Sequence, residues 1–257
     1  MARPTLQLLK EKVKSILPPD LRRWARFQQH RIRVWPPVGM VRFGGLNRAT
    51  PVSRAFGFDR GHCLDRYYIE DFLAAYASDI RGHVLEIADD EYTRRFGKHR
   101  VEQSSVLYVG GGNPKATIVA DLTSADNILP NSFDCIILTQ TLQFIYDTRA
   151  AIETLHRVLK PGGVLLATFP GISQISRYDM DRWGDYWRFT TLSAQRLFEE
   201  QFPANSITVR ARGNVFAAIA LLHGLAQEDI DVRKLEYHDP DYEVIITVRA
   251  VRPSIES

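Results

Sequence analysis

The apolar positions of this chain fall into short runs rich in Ile, Val and Leu, spaced far enough apart for a crossover between one and the next. Five of them, VLEIA (84–88), SVLYV (105–109), TIVADL (117–122), DCIIL (134–138) and VLLAT (164–168), predict strands buried on both faces, as in a parallel sheet. ITVRA (207–211) and YEVIITVRAV (242–251) predict two more, giving seven strands of an α/β fold. The segments between them predict helices. Residues 150–159 form one, ended by Pro161-Gly162-Gly163, where proline presets a turn and glycine lets the chain reverse. An amphipathic helix begins near Tyr67 and closes before Gly82, and GNVFAAIALLHGLAQEDI (213–230) supplies a strongly apolar one.

The run at 134–138 stops abruptly at Thr139, Gln140 and Thr141. In an open parallel sheet the carboxyl ends of the strands are where ligands bind, so these polar residues mark the edge where chemistry is expected.

With 257 residues and 45% hydrophobic content the chain can bury one sizeable core. It has no run approaching the roughly 18 to 20 apolar residues of a membrane span, and its N-terminus lacks the apolar core of a secretory signal. These features predict a cytoplasmic protein. The two cysteines, Cys63 and Cys135, lie far apart and without metal-ligand spacing, so neither a disulfide framework nor a metal site is expected. Charge divides the chain unevenly. Residues 1–50 hold 11 Lys or Arg against 2 Asp or Glu, a balance of +9 within a total of +3. Residues 1–55 therefore read as a basic, helical N-terminal extension, punctuated by Pro18-Pro19 and Pro36-Pro37, ahead of a main domain at 56–257. Its interleaved aromatic and arginine residues suit a helix packed on the domain with a solvated basic face. They suit also an anionic membrane or lipid-linked substrate, which would make the protein peripheral to the inner face of a membrane. A nucleic-acid role is not expected.

The order and spacing of VLEI, VADL, FDCIILTQTLQFI and LKPGGVLLATFPG make residues 80–252 resemble the class I S-adenosylmethionine-dependent methyltransferases. The downstream DYWRFT (185–190) is similar to methyltransferase-like proteins associated with bacterial glycosyltransferases and surface-polysaccharide pathways. The resemblance implies a Rossmann-like, mostly parallel seven-stranded sheet with helices on both faces and an antiparallel last strand. It implies S-adenosylmethionine as cofactor. Glu86 would orient the loop around the methionine part, Asp121 and Leu122 would meet the adenine, Thr139 and Gln140 would line the floor near the sulfonium, and Leu142 would close over it.

Where that family carries ExGxGxG after the first strand, this chain reads EIADDEYTRRFG. Ala88 stands in the first glycine's place, and the side chains of Asp90 and Tyr92 are expected to reshape or crowd the pocket left by Ile87 and Ala88. The acidic residue that usually holds the ribose is replaced by Gly110-Gly111-Gly112-Asn113, so Asp89, Asp90 or Asn113 would have to serve. The triple glycine does not read as a dinucleotide loop, because no helix follows it.

For the chemistry, His62 is the candidate base, reaching over the strand ends from the polar cluster 59–66, with a locally bonded loop histidine as the alternative. His156 is expected to face solvent. Asp185, Tyr186 and Arg188 are candidates to clamp a substrate at the pocket mouth. Aromatic faces there suit a sugar, and arginine suits phosphate or carboxylate; anchoring of the next helix is the competing use. The function expected is methyl transfer to a glycan, nucleotide-sugar or lipid-linked sugar in cell-surface polysaccharide biosynthesis, with contact to a glycosyltransferase or membrane through the basic head. The alternative is a non-catalytic scaffold or ligand-binding partner of a glycosyltransferase.

Overall fold

The computed structural model describes Leu21, Pro36 and residues 40–254; most of the basic head lies outside the described residues. The chain divides into two units, Met1–Ala49 and Thr50–Ser257. Of the first, a 3-10 turn at Gly44–Leu46 is described. The second carries the sheet.

Seven strands, in sequence order β1 (Gly82–Ile87), β2 (Val101–Tyr108), β3 (Ile118–Val119), β4 (Phe133–Thr139), β5 (Leu159–Pro170), β6 (Ile207–Arg212) and β7 (Ile245–Val251), form one sheet. Their spatial order is β3-β2-β1-β4-β5-β7-β6. Pairing is parallel from β3 through β5. Strand β7 runs antiparallel to both β5 and β6, so the expected Rossmann-like α/β sheet with its antiparallel last strand is the one observed.

Successive strand residues face opposite layers. Leu85, Ile136, Leu138 and Leu165 enter a core shared with Ile152, Leu155 and Phe198. Val84, Cys135, Ile137 and Leu166 enter a second core with Ile69, Leu73 and Leu221. The first core is covered by α2 (Thr148–Val158) and α3 (Thr191–Glu199), the second by α1 (Leu64–Ala75) and α4 (Val215–Leu222). Burial on both faces explains why the strands read as continuous apolar runs. Three of these four helix starts are set by side-chain caps. Asp147 accepts from Ala150 N in α2, Thr190 accepts from Ser193 N in α3, and Asn214 accepts from Ala217 N in α4.

Several boundaries differ from the sequence reading. TIVADL forms a strand only at Ile118–Val119, because the chain turns at Asp121, whose Oδ1 accepts from both Thr123 N and Thr123 Oγ1. Helix α1 starts earlier, at Leu64. Pro161-Gly162-Gly163 is absorbed into β5, with an irregular register opposite Phe133 and Cys135 and Gly162 at φ +80°. His156 is half-buried, edge-on to Phe202 with ring centroids 4.8 Å apart, because it takes the flank of α2 that meets the α3 layer.

Phe198 is fully buried between Phe169 and Phe202, with centroids 5.9 and 6.1 Å away. Phe198→Ala is expected to lower stability by about 3–5 kcal/mol, read as a reduced urea midpoint with an unchanged m-value.

Candidate functional site

At the carboxyl ends of β1 and β4, neighbours in the sheet, the chain turns through left-handed non-glycine residues. Ala88 leaves β1 at φ +71° and Gln140 leaves β4 at φ +48°. This left-handed region is natural for glycine and costs other residues on the order of 1 kcal/mol. Both positions are held by neighbouring strands. Ala88 N donates to Leu107 O and Gln140 N to Thr168 O, each at 2.9 Å. Ala88 O also accepts from Asn113 Nδ2 at 2.6 Å. The alanine thus keeps the backbone path expected of the missing glycine.

Glu86 holds the next turn in place. Its carboxylate is buried and accepts from Tyr92 N at 3.2 Å and Thr93 N at 2.7 Å, fixing the start of the turn of helix that runs to Gly97. Burial pushes the Glu86 carboxyl up to about 7 against the opposing pull of those hydrogen bonds. Asp89 caps the same turn through Glu91 N at 3.0 Å. Asp90 turns away to pair with Arg94 at 3.0 Å. Tyr92 stays on the wall, its hydroxyl accepting from Arg66 at 2.9 Å, and burial raises its pKa.

These strand ends enclose a cavity of about 780 Å³. Nine of the expected cofactor residues line it: Glu86, Ile87, Ala88, Asp89 and Tyr92 from the β1 side, Asp121 and Leu122 after β3, and Thr139 and Gln140 from β4. Leu142 does not. It is fully buried in the α2 and α3 core, because the 3-10 turn Leu142–Phe144 points it inward and offers Phe144 to the cavity instead. Tyr108 and Trp183, in edge contact at 6.2 Å, complete an aromatic side. Nothing local in the sequence marks Tyr108, Glu70 or Arg95. They reach the cavity through packing of separate elements.

The cavity is acidic. Glu70, Glu86, Asp89, Glu91, Asp121 and Asp179 face Arg66 and Arg95, and Arg95 is already bound to Glu70 at 2.7 Å. A site with this balance favours a ligand carrying positive charge.

His62 stands on the rim of this cavity with an exposed side chain, its Nδ1 3.3 Å from Glu228 Oε1 and its backbone N donating to the same carboxylate. Asp185 and Arg188 are brought together elsewhere. Asp185 is buried, accepts from Ser176 N, and is gripped by both terminal nitrogens of Arg188, which also donates to Gln174 O. The pair lines an adjoining cavity of about 520 Å³. Gln140, Phe144, Phe58, Arg66 and Asp179 are common to both cavities. Tyr186 lines neither. It is exposed and meets Tyr146 at 5.4 Å, beside the stacked Tyr146 and Trp187 rings at 5.7 Å. Gly110-Gly111-Gly112 precedes the short β3 with no helix behind it.

Residues 66–167 match the family model described as a methyltransferase domain. No curated protein matches the chain. Among solved structures it is similar to an S-adenosylmethionine-dependent methyltransferase from Mesorhizobium loti, at 15% identity and a TM-score of 0.49, covering 76% of this chain and 100% of that one. It is similar to one from Archaeoglobus fulgidus at 10% identity and a TM-score of 0.49, covering 72% and 94%. A third is Haemonchus contortus phosphoethanolamine N-methyltransferase 2 in complex with S-adenosyl-L-methionine, at 16% identity and a TM-score of 0.47. There the alignment covers 72% of this chain and 53% of the other, so this chain spans about half that protein's length. The match to a methyltransferase domain over residues 66–167 agrees with the methyltransferase resemblance of the sequence.

The β1 exit can be tested at two residues. Ala88→Gly relieves the left-handed alanine and is expected to raise stability by about 1 kcal/mol, measured by urea unfolding. Glu86 holds its proton up to about pH 7 in the folded protein, against an ordinary value of 4.5. Its contribution to stability is therefore full below the unfolded value and lost as pH rises through 7. The slope of stability between pH 5 and 7.5 is expected to be shallower in Glu86→Gln than in the unaltered protein.

Proposed function

We propose that this protein is an S-adenosylmethionine-dependent methyltransferase whose acceptor is a glycan, nucleotide-sugar or lipid-linked sugar. The observation that carries the cofactor half is the acidic cavity at the ends of β1 and β4, bounded by a left-handed Ala88 and the buried Glu86 carboxylate. S-adenosylmethionine carries a sulfonium and an ammonium, and this donor set and charge suit it. When bound, it supplies an electrophilic methyl group.

The residues of the chain then divide the work. Glu86 holds the turn after β1, whose backbone and Asp89 face the methionine end. Asp121 and Leu122 receive the adenine by hydrogen bond and packing. Thr139 and Gln140 form the floor between the two cavities, with Gln140 positioned through Thr168. His62, on the rim with its Nδ1 3.3 Å from Glu228 Oε1, takes the acceptor's proton. The sugar half is supported by the aromatic side of the cavity at Tyr108 and Trp183 and by the likeness of DYWRFT (185–190) to glycan-pathway proteins. The basic extension at 1–55 would bring such an enzyme to a membrane-borne substrate or a glycosyltransferase.

Isothermal titration with S-adenosylhomocysteine is expected to give micromolar binding. Asp121→Ala should weaken it roughly tenfold or more, the worth of a charge-assisted hydrogen bond. His62→Ala should leave affinity within twofold and slow turnover. No binding at high concentration would exclude the enzymatic reading in favour of a scaffold for a glycosyltransferase, and equal losses in both variants would contradict the assigned roles.

A further inference from the structure

The two adjoining cavities differ in charge. The first is lined by six carboxylates and two arginines, the second by three carboxylates and four arginines. Asp185 is spent on Arg188 and Ser176 N. Asp179 accepts from Trp183 Nε1 with one oxygen and from Ser176 Oγ with the other. Asp65 keeps one buried oxygen without a hydrogen-bond partner, 3.9 Å from Arg66 Nε. Of its four arginines, Arg188 is taken up by Asp185, and the others are less engaged. Arg54 is exposed on this wall with no side-chain partner among the described residues. Arg66 has one terminal nitrogen on Tyr92 and otherwise only that long approach to Asp65. Arg177 is paired with Asp181 at 3.5 Å, outside the wall, and is largely exposed.

We infer that the second cavity is the acceptor subsite and that it takes an acceptor bearing a phosphate, gripped by Arg54 and Arg66. The inference rests on the cofactor occupying the first cavity and narrows the proposed acceptors to the phosphate-linked ones. Gln140, Phe144, Phe58, Arg66 and Asp179 line both cavities, so an acceptor held in the second adjoins the methyl donor in the first. Guanidinium suits this use because its planar donor fork matches a phosphate's oxygens. Opposite preferences in the two compartments also keep each ligand out of the other's place. The transfer balances in simple terms. An acceptor hydroxyl oxygen forms the new bond to methyl, the S–CH₃ bond breaks with its electron pair left on sulfur as a thioether, and the hydroxyl proton departs to the base.

The test uses the full chain, with and without S-adenosylhomocysteine, titrated at low salt with α-D-glucose 1-phosphate, dodecyl phosphate and methyl α-D-glucopyranoside. A phosphate probe is expected to bind at least tenfold tighter than the neutral glycoside and to weaken as salt is added. Arg54→Gln should reduce that binding about fivefold or more, with Arg54→Lys losing less, while S-adenosylhomocysteine affinity stays within twofold. Tighter binding of dodecyl phosphate points to a lipid-linked source, tighter binding of glucose 1-phosphate to a soluble one, and either supports the phosphate subsite. Equal affinity for the neutral glycoside, or phosphate binding indifferent to Arg54→Gln, overturns it. Loss of S-adenosylhomocysteine binding in the unaltered chain would strike the cofactor reading, and the phosphate titration of the unloaded chain separates that failure from this one.

Discussion

The parallel pairing of β1 with β4, Val84 to Glu86 against Cys135 to Ile137, is the constraint on which the rest of the site depends. It brings the exits of two strands that are distant in sequence to one edge of the sheet. Each exit turns through a left-handed residue, and each turn is held by a main-chain bond to the next strand outward, Leu107 on one side and Thr168 on the other. The cost of two strained residues is borne by the sheet hydrogen bonds around them. The same bonds make the cavity floor rigid before any ligand arrives.

Within that frame Glu86 links backbone to electrostatics. A carboxylate buried at the end of a strand is tolerable only because two backbone donors face it, and those donors belong to the turn that walls the cavity. Charge then sorts space. Acidic side chains collect where β1, β3 and the α1 layer meet, while the acids near α1 and the β5 exit are largely consumed by Arg188, Trp183 and Ser176. Two neighbouring compartments of different character result from pairings between residues that are mostly a few positions apart.

Much of the fold was legible because burial on both faces leaves a simple mark, an uninterrupted apolar run. Most strands carry that mark over their buried centres, though β2 and β5 extend past it through polar residues and β6 is only partly buried. TIVADL keeps only Ile118 and Val119 in the sheet, since Asp121 prefers its own turn with Thr123 to a ladder bond. Glycine counting was a weaker guide. The absent glycine suggested a crowded pocket, yet Ala88 follows the left-handed path and Asp90 turns outward to Arg94. Leu142 illustrates the opposite error: a position next to the polar strand mouth proved to face the core, because a single 3-10 turn separates inward from outward there.

The sequence by itself determined the number of strands, the edge at which polar residues gather and nine of the residues lining the first cavity, since these depend on local periodicity and on residues adjacent to strand ends. Only the tertiary structure decided that Tyr108, Trp183 and Arg66 meet there, that Asp185 is bound to Arg188 beside a second cavity, and that Tyr186 faces away from both. Those outcomes depend on how helices and loops distant in sequence pack over the sheet, and no short-range pattern encodes that geometry.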